Sequence, residues 1–276
     1  MHFWVPRRTL IVAAGSVALG VAAYNKRPVS YAVTHNPDLV VQRLYDLRDR
    51  EDYLQIIQQG LYEEWGEYFS PKNLDEMYNL AENAGKTCFV AIDNSGYPIG
   101  VLQTRLVDVA GKPGKLVEQY TTFNDLTSYG TWEDAKNSEG DTIVCMQITT
   151  LGERRKDTGS ALRNAALYII QRDVKYALTT TPVRTFIPEG EDVHKELLEK
   201  GFFGEASTEL PLRFHYKSGA RAAGYERAYK RLDIRHGEDV IFMRYVRGEG
   251  GNWQGILPDG IELKKARILP KIKKAA

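Results

Sequence analysis

Apolar residues recur along this chain with two periods, and the switches between them predict its elements. Leu44 to Arg48 reads as a short first strand. Asp52 then caps a helix whose Leu54, Ile57, Leu61 and Trp65 share one face, because residues three and four apart lie on the same side of a helix. A second helix is expected from Ser70 at the cap and Pro71 at the first helical position, with Leu74, Met77, Tyr78 and Ala81 inward and Gly85 as its stop. The β-branched, alternating runs Thr87 to Asp93 and Ile99 to Val107, joined by Asn94-Ser95-Gly96, predict a hairpin. Gly111 to Gly114 reads as a turn, Leu116 to Phe123 as a strand, and 124–140 as a polar loop with Tyr129 and Trp132 exposed.

The most informative stretch follows. Asp141 to Leu151 is apolar and β-branched, and runs into a loop with three consecutive cations, Arg154, Arg155 and Lys156. After the loop, Asp157 or Thr158 begins a helix that continues as the periodic run Leu162 to Tyr176. A strand, a cationic glycine-containing loop and a helix start, in that order, present unpaired backbone N–H groups to an anion, with the helix dipole behind them. Gly159, Ser160 and Ala161 are small enough for a ligand to approach the main chain. Tyr176 to Thr181 predicts a strand ended by Pro182, then come a loop (Ile187 to Glu191), a short helix around His194 to Lys200, another from Pro211 to Gly219, and a terminal strand from Asp239 to Val246. The alternation describes one mixed α/β (α+β) domain over 44–247.

Charge and composition narrow the function classes only a little. The 276 residues include 37 basic and 36 acidic side chains, so no overall charge points to nucleic acid. The distribution is uneven: Asp38 to Leu80 holds ten acidic and four basic residues, and Ile261 to Ala276 holds six basic residues and Glu262 alone as acid. Residues 248–276 therefore read as a basic, solvated C-terminal tail, and 28–43 as a linker. The two cysteines, Cys88 and Cys145, lie in strand-like runs without CxxC spacing or a histidine partner. They read as core residues of a reducing compartment, and no metal site is expected. Residues 1–27 form an N-terminal appendage. Its uncharged stretch 9–24 behind Arg7-Arg8 reads as a signal-peptide core, a short membrane anchor or a translated leader, since sixteen residues fall short of the roughly 20 that span a bilayer.

The sequence Lys156-Asp-Thr-Gly159-Ser-Ala161 directly after a central strand resembles the (Gln/Arg)-x-x-Gly-x-(Gly/Ala) acyl-CoA motif of the GNAT acyltransferase superfamily, with Lys156 where that family usually has Gln or Arg. The element order from about Leu44 to Val246 is similar as well. The resemblance implies a GNAT fold, a central mixed, mostly antiparallel twisted sheet flanked by helices. It also implies acetyl-CoA or another short acyl-CoA as co-substrate. Main-chain groups of Ile148, Thr149 and Leu151 would pair with the pantetheine arm, and Arg154, Arg155, Lys156, Thr158, Gly159, Ser160 and Ala161 would hold the diphosphate.

A second stretch, Arg213-Phe-His-Tyr-Lys-Ser-Gly-Ala220, looks like a GNAT subgroup written Arg-Phe-His-x-x-x-Gly-Ala. That subgroup includes the GNAT-like loading domains of polyketide synthases, and malonyl-CoA decarboxylases carry a similar segment. The resemblance implies chemistry at His215 and at a threonine near the end of the preceding strand, Thr181 or Thr180. A histidine titrating near neutral pH would take a proton from an amine or give one to a carbanion, and Tyr216 would protonate the departing thiolate. The expected activity is N-acyl transfer from acyl-CoA by direct attack of an amine. Alternatives are malonyl-CoA decarboxylation or S-acyl transfer to a carrier-protein thiol, and a non-catalytic CoA-binding module. The partner is then a small amine or a carrier protein, with no nucleic acid. Since acyl-CoA is a cytoplasmic metabolite, the expected location is the cytoplasm, with 9–24 as a candidate membrane tether.

Overall fold

The computed structural model describes residues 29–33, 36–67, 69–137, 140–152, 157–170, 174–183, 209–230, 239–247, 253, 261–265, 269 and 272. Nine strands among them form one sheet: β1 (Val29–Val33), β2 (Asn36–Arg43), β3 (Phe89–Ile92), β4 (Pro98–Val107), β5 (Thr142–Thr150), β6 (Tyr176–Val183), β7 (Ala220–Glu226), β8 (Asp239–Tyr245) and β9 (Ile261–Lys265). Their spatial order is β7-β8-β6-β5-β4-β3-β2-β1-β9. Every neighbouring pair is antiparallel except β5 and β6.

Helices cover both faces. One face carries α1 (Glu51–Trp65), α2 (Leu74–Asn83), α3 (Pro113–Gln119) and α4 (Phe123–Thr127); the other carries α5 (Thr158–Ile170) and α6 (Leu210–Lys217). The predicted inner face of α1 is buried, with Leu54, Ile57 and Leu61 wholly inaccessible beside Val101 and Met146. On the other side Leu162, Ala165 and Ala166 of α5 pack with Ile143, Leu102 and Ile241. The sheet is thus the middle layer between two apolar cores, which is the arrangement the mixed α/β reading requires.

Several expectations are corrected. Leu44 to Arg48 is not a strand: Leu44–Leu47 is a 3-10 turn, whose three-residue repeat puts both leucines in the core. The preceding segment, expected as a linker over 28–43, holds β1 and β2, which extend the sheet past β3. The basic 248–276 tail likewise supplies β9, paired along β1, and Ile272 donates its N–H to Asp52. Asp52 is therefore engaged with Arg50 and the C-terminal segment, inside the first turn of α1, whose N-cap position is Arg50. Asn73, not Ser70, caps α2, accepting from the Glu76 N–H; the Ser70 hydroxyl is buried and donates to the Leu61 carbonyl.

Leu116 to Phe123 is not a strand, because Pro113 in the first helical turn starts α3 there. Trp132 is fully buried, in contrast to the exposed Tyr129. β6 runs through Pro182 to Val183; on its β5 side the strand has become an edge, where a proline is tolerated. β7, which no alternation announced, follows α6. The helix expected around His194 to Lys200, the loop at 187–191, the cations Arg154, Arg155 and Lys156, and residues 1–27 lie outside the described residues. The expectation of a cytoplasmic protein tethered to a membrane is also corrected: among the described residues no helix is long and apolar enough to cross a membrane.

Candidate active site

The site is made by a parallel pair that stops pairing. β5 and β6 are in register from Thr142 opposite Tyr176 to Cys145 opposite Thr179 and no further. Each strand then continues against its other neighbour, β5 against β4 up to Thr150 and β6 against β8 up to Val183. The two strands separate into a wedge, and the divergence begins where β5 bulges. Gln103 faces Gln147 and Thr104 faces Cys145, so Met146 is an extra residue, of the kind that bends a strand and increases its twist. The Thr180 hydroxyl spans the base of the fork to the Met146 carbonyl at 3.4 Å.

A cavity of about 450 Å³ fills the wedge. Its α5 side is lined by Gly152, Gly159, Pro211, Phe214 and His215, its α1 side by Glu64, Trp65 and Lys230, and its walls by residues 145–150 and 179–182. Two strands that no longer bond to each other leave main-chain N–H and C=O groups facing the gap, which an extended, amide-containing ligand can satisfy.

The helix start fits an anion at the α5 end. Ala161 N–H is bonded to the Asp157 carbonyl at 2.8 Å; by helix geometry the N–H groups of Thr158, Gly159 and Ser160 have no intrahelical acceptor. Gly100 on β4 lets α5 come this close, since a Cβ there would lie 2.7 Å from the Thr158 methyl. Gly159 is different. A Cβ on it would meet Ile148 at 3.5 Å and Phe214 at 3.7 Å, ordinary contacts, so packing within the protein does not require glycine at this position. Space beside free first-turn amides is what a phosphate group needs.

The two resemblance-implied catalytic residues meet here. Thr181 and His215 line the same cavity, and the buried Thr181 hydroxyl has no hydrogen-bond partner. His215 is 7% exposed, and its Nδ1 lies 2.6 Å from the Tyr245 hydroxyl. Burial first, and then the Arg163 guanidinium, push its pKa down to about 3. The imidazole is therefore neutral at ordinary pH, a hydrogen-bonding group and a poor base. Burial raises the Tyr245 hydroxyl pKa well above the usual tyrosine range. Cys145, at the base of the fork, is held as a thiol, because burial pushes it up to about 12.

Other expected residues are placed less favourably. Tyr216 does not line the cavity; it follows His215 on α6 and its ring stacks under Arg221, 4.4 Å away. Leu151 N–H is already bonded to the Ile99 carbonyl at 2.9 Å, which leaves Ile148 and Thr149 as the strand positions in the wedge. Ala161 is packed in the core, and Thr158 is fully buried.

Sequence reasoning missed the α1 wall. Trp65 donates from Nε1 to Thr149 Oγ1 at 2.6 Å, and the buried Lys230 ammonium sits 5.0 Å from the Trp65 ring and 4.3 Å from that of Phe123. Trp65 at the last turn of an apolar helix face was a usable signal for burial. Lys230 belongs to the stretch Tyr229-Lys-Arg-Leu-Asp233 that accompanies the Arg-Phe-His pattern in the resemblance, but a lysine next to an arginine reads as solvent-exposed and nothing local announced its burial. No group of acidic, histidine and cysteine side chains suited to a metal ion occurs among the described residues.

No protein-family model matches the sequence, and no curated protein matches it. Solved structures do match in three dimensions. The loading GNATL domain of CurA from Lyngbya majuscula superposes with a TM-score of 0.51 at 17% identity, over 75% of this chain and 96% of that one. The GNAT-like decarboxylase GphF in complex with isobutyryl-CoA gives 0.49 at 14% identity, over 71% and 95%. Arabidopsis thaliana Naa50 in complex with a bisubstrate analogue gives 0.44 at 12%, over 76% and 99%. The architecture of the described residues, with one splayed parallel pair among them, is the GNAT fold.

Proposed function

We propose that this protein is an acyl-CoA-dependent acyltransferase that holds a short acyl-CoA, such as acetyl-CoA, in the wedge between β5 and β6. The observation that carries this reading is the end of pairing at Cys145 and Thr179, beside which lies a cavity lined from both faces of the sheet. The pantetheine amides would take up the free edge of β5 around Ile148 and Thr149. The first-turn amides of α5, at Thr158, Gly159 and Ser160, would receive the diphosphate, with Arg154, Arg155 and Lys156 as its cations.

The acceptor would enter on the α1 side, past Glu64, Trp65 and Lys230, and an amine is the class proposed. Its nitrogen bonds to the acyl carbon, the carbon–sulfur bond breaks, and the proton the amine loses ends on the departing CoA thiolate. With its pKa pushed down to about 3, His215 is a weak base at ordinary pH. Its role is hydrogen-bond donation to the thioester oxygen, where negative charge develops. Cys145 remains protonated, which supports direct transfer without an acyl-cysteine.

One observation favours a second reading. The partnerless Thr181 hydroxyl of β6 lines the same cavity as His215, the histidine of the Arg213-Phe-His-Tyr-Lys-Ser-Gly-Ala220 pattern. That pair suits decarboxylation of malonyl-CoA: the carbon–carbon bond breaks, CO2 leaves, Thr181 and His215 donate to the enolate oxygen, and water supplies the proton to carbon. The acetyl group would then pass to a carrier-protein thiol.

Both readings are tested by incubating the purified protein with acetyl-CoA and with malonyl-CoA, with and without a panel of amines, and following products by mass spectrometry. Free CoA with an acylated amine supports transfer. Acetyl-CoA formed from malonyl-CoA supports the second reading. No turnover of either overturns the enzymatic assignment.

A further inference from the structure

His215 is gripped from behind by two residues that do not line the cavity. Tyr245, the last residue of β8, places its hydroxyl 2.6 Å from His215 Nδ1. Arg163, on the second turn of α5, is 4% exposed and interacts with that same hydroxyl. Its guanidinium lies 4.2 Å from the Phe214 ring centre, donates to the Phe214 carbonyl at 3.3 Å and to the Asn164 side chain at 2.9 and 3.1 Å. Among the described residues no carboxylate pairs with it. A buried cation balanced only by neutral groups is costly to keep, and such groups concentrate where a protein needs a fixed field. Arginine has donors and no acceptor. A guanidinium charge beside the Tyr245 hydroxyl favours the orientation in which the oxygen faces the cation and the tyrosine hydrogen goes to the imidazole.

We infer that Arg163 and Tyr245 are positioning residues, which hold His215 as the neutral tautomer protonated on Nε2 and so keep an N–H donor directed at the cavity. The Tyr245 hydroxyl donates to His215 Nδ1, and the Arg163 charge beside that hydroxyl orients it. The imidazole meets Tyr245 from β8 and Phe214 from its own helix, and shares the cavity with Cys145 from β5, Thr179 to Thr181 from β6, and the charged Glu64 and Lys230 on the α1 side; the charge that acts on it is that of Arg163 from α5. The inference rests on the acyl-CoA reading of the wedge for its catalytic meaning, but the tautomer itself is a property of the unliganded protein.

The test is long-range proton–nitrogen NMR on the full chain labelled with ¹⁵N-histidine, with the His215 signals identified by their loss in His215→Gln. The wild type is expected to show one neutral Nε2–H tautomer between pH 5 and pH 8. In Tyr245→Phe, which keeps the ring and removes the hydroxyl, the tautomers mix. Turnover then falls about tenfold, with KM for the acyl-CoA within about twofold. In Arg163→Met the imidazole begins to titrate at higher pH than in the wild type. A wild-type Nδ1–H tautomer, or a Tyr245→Phe protein with an unchanged pure tautomer and unchanged turnover, would overturn the inference. If the tautomer is as stated while the wild type turns over no acyl-CoA, the functional reading fails and this one stands.

Discussion

β5 and β6 are one pair of strands with two different halves. From Thr142 to Cys145 and Tyr176 to Thr179 they are bonded in register and their side chains, such as Val144, Ala177 and Leu178, are shut into the two cores. From Met146 to Thr150 and Thr180 to Val183 they separate, and polar groups concentrate: Gln147, Thr149, Thr180 and Thr181 are all buried, and the amide of Gln147 and the hydroxyl of Thr181 lack partners. The closed half satisfies itself, whereas the open half is built from groups that need something to bind. Stability should therefore reside in the first and function in the second, and substitutions can separate the two.

The largest effect is expected in the closed half. Leu178→Ala removes a wholly buried side chain and should cost about 2–5 kcal/mol of unfolding free energy in a denaturant titration. Gly159→Ala should separate the two properties the other way at the open half. Because a Cβ there meets only ordinary contacts, the melting temperature should move little. Filling the space beside the first-turn amides should weaken CoA binding by about 100-fold in calorimetry, roughly 2.7 kcal/mol.

These two substitutions also mark the limit of what the sequence conveyed. The period-two run over 141–151 and the helical run after 158 were legible because both β5 and α5 are buried and amphipathic in the usual way. The wedge between β5 and β6 was not, because it arises from the extra residue Met146 and from β8 inserting beside β6, events visible only in the pairing of distant segments. Arg163 could have been suspected as a lone cation within Leu162 to Ala166, on a face otherwise apolar. Its target Tyr245 lies more than eighty residues on, and nothing local joins them. Trp132 misled because it sits in a segment rich in turn residues; its burial comes from the fold around it, where its carbonyl accepts from the Asn83 amide.

A pH effect is of comparable size. His215 has a folded pKa of about 3 and an ordinary value of 6.5, so between those values the unfolded chain binds the proton and the folded chain does not. Stability attributable to this group is complete above about pH 6.5 and falls on acidification by up to roughly 1.4 kcal/mol per pH unit until the folded ring protonates. The difference between wild-type and His215→Gln unfolding curves, measured from pH 7 to pH 4, should show that slope.

The smallest expected change in stability is at Thr181. Thr181→Val removes a buried hydroxyl without a partner, so unfolding free energy should stay within about 1 kcal/mol or rise. Malonyl-CoA turnover should drop while acetyl-CoA affinity holds. An equal loss of both would mean that Thr181 shapes the wedge and does not act on the acyl group.

The central claim, that the open half is the acyl-CoA site, is tested most directly by titrating acetyl-CoA into ¹⁵N-labelled protein and following backbone amides. Large shifts are expected at Met146 to Thr150 and at Thr158 to Ser160, with Thr142 to Val144 little changed. Shifts confined to other surfaces, or none at saturating acetyl-CoA, would contradict it.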